Sequence, residues 1–491
     1  MSSRSFITKR IIYTTTGVQV RPYKKEALAP IMKSRSAWDP VRHKYNPITA
    51  YSMECGEDKE KVFLTYNCDR TYIQELLPGY IMEELGPNHV EPISESFELN
   101  DDIIPTNLQS DAIKVVLENK FAQAFFNIPT GVGKTLMSLY LVSLLQSKTW
   151  IMCFSVEVLK QWVKTLREKT TFNLDKILMV SSSSTMRKIL SGKIDPSEYD
   201  IFMSTPGILT KFAEKEGPDA LYDLFDICGI GMKIFDEANR NIANITKINA
   251  ITSVERTYYL SADFSQSGKT KRTLYYRMFH NIPIIKPSEE KKKEMRHINA
   301  VVVHYNSHPT YLEQESAYGK YGFSAHNYME YQITNPTFWD TFKAVIDTIH
   351  EQNAERNKIL ILLNMIDHVD AIKAWLDEMN LKGCVVGRFH SRMPDDEKEE
   401  TLLNANVIVS TYQSMGVGLD IFGIQYVIAV APFSPIEDNQ AAGRARPLPS
   451  GKDCFYFIMC DDGFEYNVSR IRDRLSYLQT QKVKKIYAVY Y

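Results

Sequence analysis

The sequence offers almost no net charge to a partner: 58 basic and 59 acidic side chains leave a formal charge of -1. A polyanion is therefore not drawn by bulk charge, and a nucleic-acid partner has to be held by a local basic surface. The seven cysteines (Cys55, Cys68, Cys153, Cys228, Cys384, Cys454, Cys460) include no CxxC pair. That argues against a zinc site and against a disulfide framework, and suits a reducing compartment. No stretch approaches the ~18 uninterrupted apolar residues of a membrane span, so no membrane partner is expected. "MSSRSFITKR" has no long apolar core following its charges and does not read as a signal peptide. A cytoplasmic location is the expectation. Short-period repeats and low-complexity tracts are lacking as well.

What is present is ordinary for a globular protein, with 44% apolar and 24% charged residues. A chain of 491 residues suggests roughly three domains at about 150 residues each. Residues 1–100 read as a small α+β accessory domain expected to bind DNA, with "KVFLTYN" as a strand and "TYIQELLPGYIMEELG" helical in pattern but broken by Pro78 and Gly79. From 101 to 287, six apolar runs ("AQAFFNI", "TWIMCFS", "KILMVS", "DIFMST", "MKIFDE", "TYYLSA") alternate with amphipathic stretches. Such alternation predicts a parallel sheet covered on both faces. "KPSEEKKKEMR" is a charged linker. Six more runs ("INAVVVHY", "KILILLN", "GCVVGRF", "NVIVST", "QYVIAVA", "CFYFIMC") predict a second sheet of the same kind over 288–491, interrupted near 310–332 by a tyrosine-rich insertion. His304 and His308 flank a β-rich run and read as solvated or packed imidazoles.

"NIPTGVGKTLMSLYLVSLL", from Asn127, places two glycines, a lysine and a threonine between an apolar strand and an apolar helix. Glycines let successive N–H groups point into one concavity, and the helix aims its positive end at the same place. A phosphate explains that arrangement, although Ile128 stands where the strict G-x-x-x-x-G-K-[ST] pattern has its first glycine. "KIFDEANR" then sets Asp236 and Glu237 directly after an apolar run. Both belong at a strand's C-terminal edge, facing the crevice of the phosphate loop. Nucleotide hydrolysis needs one carboxylate for a Mg²⁺ shell and another to orient or deprotonate water. In the second sheet, "NQAAGRARP" carries Gln440, Gly443 and Arg444. An arginine from a facing lobe can neutralise charge on a transferring phosphoryl group.

With these elements the sequence resembles the superfamily 2 helicases and translocases over about residues 101–460, and the motifs come in family order. The resemblance implies two tandem RecA-like lobes, ATP with Mg²⁺ as substrate and cofactor, and a nucleic-acid track. It assigns Gln109 in "TNLQSDAI" to adenine. Thr130, Gly131, Val132, Gly133, Lys134 and Thr135 belong to the phosphate loop, with Lys134 for the phosphates and Thr135 and Asp236 for Mg²⁺. Glu237 activates water. Gly418 and Asp420 of "VIVSTYQSMGVGLDI", with Thr411, form motif V; Gln440, Arg444 and Arg446 form motif VI. Two departures stand out. Motif III reads Ser261-Ala262-Asp263, with a carboxylate in place of the usual threonine. Motif VI has Pro447 where a second arginine normally stands, so Arg444 is the matched residue and Arg446 is one position early.

Phage branch-migration helicases of the UvsW type show the greatest likeness, sharing a small N-terminal domain and a "QSGKTKRTLYYRMF"-like segment; poxvirus-like transcript-release helicases share much of the pattern. The implied track is DNA (single-stranded, forked or junction) in preference to RNA, with the host cytoplasm as location. The alternative is a nucleotide-gated factor that clamps nucleic acid or a polymerase without processive movement, or an RNA helicase. Candidate contacts to the strand are Lys160, Gln161, Ser204, Thr205, Arg388, His390 and Thr411. Lys269–Arg272 and Lys291–Lys293 are weaker candidates. Tyr318 and Tyr321, beside Gly319 and Lys320, could stack on bases, whereas packing of the insertion against its lobe is the commoner use of such rings.

Overall fold

The alternating apolar and amphipathic segments build two parallel sheets. The computed structural model describes residues 9–34, 36–39, 44–47, 51–55, 59–66, 69–129, 132–262, 278–279, 281–294, 296–320, 322–415, 421–448 and 451–491. The chain divides into two compact units, Met1–Lys286 and Pro287–Tyr491. The division falls at the start of the charged linker.

The first unit opens with β1 (Arg10–Tyr13), β2 (Gly17–Arg21), a hairpin of β3 (Ser36–Asp39) and β4 (Lys44–Pro47), then β5 (Tyr51–Cys55), β6 (Glu60–Tyr66) and β7 (Ile81–Glu84). Five of these form a sheet in the order β5-β6-β2-β1-β7. It is antiparallel except where β7 runs parallel to β1. Strand β7 corrects the expected broken helix. Pro78 and Gly79 end the helix Arg70–Leu76, and the residues after them pair with β1 by backbone hydrogen bonds that no side-chain period announces.

The same unit continues with β8 (Gln123–Asn127), β9 (Thr149–Met152), β10 (Ile177–Met179), β11 (Ile201–Ser204), β12 (Met232–Phe235), β13 (Arg256–Ser261) and β14 (Ile284–Ile285). All are parallel, in the order β10-β11-β9-β12-β13-β8-β14. Alternate residues feed opposite faces, as the two-residue strand period requires. Trp150 and Phe202 enter one core, Ile151 and Met203 the other.

Strand β6 ties the N-terminal sheet to this one. Val62, Leu64 and Tyr66 join the core that holds Trp150 and Phe225, while Phe63 points into the N-terminal sheet's own cluster. The β1–β2 turn docks on the helix Ile242–Ile251: Thr14 Oγ1 and Thr16 Oγ1 both donate to Asn249 O, at 2.6 and 3.0 Å. A Cβ on Gly17 would sit 2.7 Å from Ala250 Cα, so the close approach needs glycine. Beneath the turn, the fully buried Lys233 of β12 donates to Thr16 Oγ1, Asn249 Oδ1 and Thr252 Oγ1 at 3.4, 3.1 and 2.9 Å.

The second unit contains β15 (Ile298–Tyr305), the short hairpin β16 (Tyr318–Gly319) and β17 (Gly322–Phe323), β18 (Lys358–Leu363), β19 (Val386–Phe389), β20 (Val407–Thr411), β21 (Ile424–Ala429), β22 (Cys454–Asp461) and β23 (Val483–Tyr490). Its seven-stranded sheet, in the order β19-β20-β18-β21-β22-β15-β23, is parallel throughout. The six expected strands are present, and β23 is an addition. Its sequence "VKKIYAVY" is lysine-containing and mostly exposed because it lies on the sheet's edge, where charge is tolerated. The architecture is two tandem parallel α/β lobes preceded by a small α+β domain. No described helix is long and apolar enough to cross a membrane.

Candidate ATP and nucleic-acid site

In the first unit, the helix Lys134–Leu145 follows β8, and Gly133 caps it with φ 77°. The positive φ demands glycine, and a Cβ there would also push aside the end of the Gln109 side chain, whose Nε2 lies 2.7 Å from its position. Gln109 belongs to the helix Asn107–Glu118. Its Oε1 accepts from the Thr106 N–H at 2.8 Å, completing a capping box. Its Nε2 donates to Val132 O at 2.7 Å and Gly133 O at 3.2 Å. The amide assigned by resemblance to adenine is thus engaged in holding the phosphate loop. Thr135 is half-buried in the first helical turn, where backbone N–H groups lack intrahelical partners. Thr130 and Gly131 lie outside the described residues.

The carboxylate pair sits at the C-terminal end of β12. Lys134 Nζ lies 3.0 Å from Glu237 Oε1, with the two side chains 10% and 7% exposed. The Asp236 carboxylate accepts from the Trp162 indole N–H and from the Glu237 N–H, both at 2.9 Å. The Asp236 N–H donates to Met152 O, and the Ala238 N–H to Leu260 O. These bonds hold Glu237 at φ 47°, a left-handed conformation that costs a non-glycine residue about 1–3 kcal/mol. Burial and then the charge of Glu237 raise the Asp236 carboxyl above its ordinary range, while Lys134 and the Trp162 bond pull it back. Glu237 Oε2 is buried with no hydrogen-bond partner among the described residues. An ammonium, a helix N-terminus and two adjacent carboxylates with one unsatisfied oxygen suit a polyphosphate and a hydrated divalent cation.

In the second unit, Thr411 ends β20 nearly buried, donating to Ser414 Oγ at 2.9 Å and accepting from the Ser414 N–H at 3.2 Å. Gly418 and Asp420 lie outside the described residues. The helix Pro435–Ala442 starts with a Ser434–Glu437 capping box. On it, Gln440 is buried and accepts a hydrogen bond from the Tyr412 hydroxyl. Arg444, 7% exposed, and the half-buried Arg446 follow Gly443. Asp438 anchors the helix. It accepts from Arg474 Nε and Nη2 at 2.5 and 2.9 Å and from the Tyr456 hydroxyl at 2.6 Å. Burial opposes the charge on Arg474, but Asp438 outweighs it and the guanidinium is held more firmly protonated.

The proposed strand contacts divide. Ser204 is buried, and its hydroxyl accepts from the Trp150 indole N–H at 2.9 Å; this corrects its expected place on the surface. Thr205 is half-buried and opens the helix Pro206–Glu216 without a side-chain cap bond. Lys160 is exposed and Gln161 half-buried on the helix Val156–Lys169. Arg388 pairs with Asp370 at 2.8 Å with both side chains in solvent reach. His390 is turned inward, and burial holds its imidazole below the usual range, so it is a poor phosphate cation. In the insertion, Tyr328 is buried, Phe323 stacks on Tyr466 at 3.8 Å, and Tyr331 packs on Phe464. Tyr318 is 45% exposed at the β16–β17 hairpin and touches Phe323 edge-on. Tyr321, Asp263 and Lys269–Arg272 lie outside the described residues.

Residues 102–264 match the family described as type III restriction enzyme, res subunit. Residues 340–446 match the helicase conserved C-terminal domain. The chain is a superfamily 2 helicase. No individual curated protein matches it significantly along the sequence. Its fold is similar to that of S. cerevisiae Dbp5 bound to RNA and ADP BeF3, with a TM-score of 0.54 and 12% identity over 79% of this chain and 90% of that one. A single-substitution variant of Dbp5 with the same ligands gives 0.52, with the same identity and coverage. That likeness concerns the RecA-like fold alone. For a superfamily 2 helicase the local reading missed two supports. Trp162 follows the candidate contacts Lys160 and Gln161 on their helix, yet nothing in "FSVEVLKQWV" shows that its indole reaches Asp236. Arg474 lies beyond every motif, on the helix Glu465–Gln481, and only the fold brings it to Asp438.

Proposed function

We propose that this helicase is an ATP-driven motor on DNA, unwinding it or migrating branches in phage replication, recombination or repair. The observation that carries the reading is the convergence of Lys134, Asp236 and Glu237 at the C-terminal edge of one parallel sheet. Lys134 and the first turn of its helix take the β- and γ-phosphates, and Thr135 and Asp236 hold Mg²⁺. Bound Mg²⁺ supplies neutralisation of charge on the phosphate oxygens. Glu237 orients and deprotonates the attacking water. Its bond to Lys134 is exchanged for solvent when a phosphate claims the ammonium, so base and phosphate ligand are released by the same event. Arg444 senses the γ-phosphate, with Gln440 beside it on a helix braced by Asp438 and Arg474.

Thr205 and the first-turn N–H groups of its helix, with Lys160, Gln161, Arg388 and Thr411, supply phosphate contacts without sequence reading. The motif resemblance to branch-migration helicases supports DNA as the track. The deciding experiment measures ATP turnover with single-stranded DNA, duplex, forked DNA, four-way junctions and RNA, alongside strand displacement. Stimulation by fork or junction with displacement is expected. Stimulation by RNA alone, or by DNA without displacement, overturns the proposal.

A further inference from the structure

Absence of CxxC pairs speaks only of cysteines close in sequence. Strands bring other donors together. In the second sheet, β15 and β22 run parallel in a register that sets His304 directly across from Cys460. Asp462 follows Cys460 by two residues, in the turn just past the end of β22. His304 Nδ1 is 2.8 Å from Asp462 Oδ1, and Cys460 Sγ is 3.7 Å from the same oxygen. All three donor atoms lie within 4.8 Å of one another. On the other side of β15, Tyr490 of β23 stacks on the His304 ring with centroids 4.8 Å apart and planes at 11°, fixing the imidazole's orientation.

We propose that His304, Cys460 and Asp462 form a binding site for a zinc-class divalent cation. A thiolate, an imidazole and a carboxylate are the ligands such ions favour, at about 2.3, 2.0 and 2.1 Å. The Nδ1–Oδ1 and Sγ–Oδ1 separations of 2.8 and 3.7 Å bracket the roughly 3.4 Å between donors that tetrahedral placement requires. Cys460 is fully buried, while His304 and Asp462 are 18% and 34% exposed at the side chain. The cation therefore has a solvent-facing side at His304 and Asp462, and binding releases the thiol proton to solvent.

The place is informative. The neighbouring Asp461 accepts from the Ser307 N–H and from Gln332 Nε2, at 3.0 and 2.6 Å, and so ties both ends of the tyrosine-rich insertion to β22. A cation beside it would pin the strand ends from which the insertion leaves.

The test adds Co²⁺ alone to the full chain, free of nucleotide. One equivalent should bind, with a near-ultraviolet thiolate-to-cobalt band and visible ligand-field absorption that Zn²⁺ then bleaches. Cys460→Ser should lose the thiolate band. Asp462→Asn and His304→Ala should bind at least about tenfold more weakly, with Asp462→Asn keeping the wild-type melting temperature in chelator. A second candidate cluster, His326, Glu330 and His368, supplies the control: His326→Ala should leave the thiolate band intact. No stoichiometric uptake, a thiolate band that survives Cys460→Ser, or binding abolished by His326→Ala overturns the proposal.

Discussion

Lys134 and Glu237 form a nearly buried ion pair across 3.0 Å, joining the phosphate loop to the carboxylate proposed as the base. Glu237→Gln keeps the volume and a hydrogen-bonding group but cannot take a proton. It should bind ATP normally while turnover falls by about 10²–10⁴-fold. Lys134→Ala should weaken nucleotide binding itself. Nucleotide titration beside steady-state turnover separates the two, and wild-type turnover in Glu237→Gln would remove Glu237 from the mechanism.

Arg444 is expected to supply the charge that stabilises phosphoryl transfer, because it alone holds the motif position beside Gly443. Its alanine variant should lose about 10³–10⁵ in turnover at saturating DNA. Arg446→Ala should retain most of it. The measurement is ATP turnover of the two variants side by side, and a severe loss confined to Arg446→Ala reverses the assignment.

Lys233 lies at the joint between the N-terminal turn and the strand that carries Asp236, and burial pushes its ammonium down to about 7. In the unfolded chain the group titrates near 10.4. Between about pH 7 and 10.4 the unfolded state therefore binds more protons, and the stability contributed by this group rises with pH. Below about 7 the lysine is charged in both states and its burial cost is full. Lys233→Met should abolish that rise, which urea unfolding of both proteins from neutral to alkaline pH would reveal. Parallel pH profiles would show that Lys233 does not titrate in this range.

Tyr318 stands half in solvent on a two-stranded hairpin whose Phe323 ring stacks on Tyr466. Changing Tyr318 and Tyr321 to alanine should reduce strand displacement while DNA-stimulated ATP turnover and melting temperature stay nearly unchanged. Base stacking is worth about 1–3 kcal/mol per base, so a loss of tenfold or more in displacement is expected. A destabilised variant that is uniformly weak in both activities would make these rings packing residues.

The sequence reading and the structure agree where one physical signal dominates. Apolar runs such as "TWIMCFS" and "KILILLN" are buried on both faces and cannot be mistaken for loops. Gly133 was legible because a phosphate loop needs its backbone freedom. Strand β23 was not, because an edge strand carries lysines and exposed tyrosines and so lacks the apolar run that marks its neighbours. Ser204 misled for a related reason: a hydroxyl at a strand end reads as surface, whereas here it is the acceptor for Trp150. Trp162 and Arg474 act through partners 74 and 36 residues away, and no local pattern encodes such distances.

The placement of β15 also bears on how the second unit comes into being. β15 is the earliest-made strand of its sheet, yet its two neighbours, β22 and β23, are the latest. During synthesis, at about 5–20 residues per second, "INAVVVHY" leaves the ribosome with neither flank available. The intervening strands β18 to β21 can associate early, but the lobe cannot close until more than a hundred further residues have emerged. A long-lived, unpaired and strongly apolar strand is the kind of segment that chaperones hold. The order of manufacture, rather than the stability of the finished sheet, sets the period in which this lobe is vulnerable to aggregation.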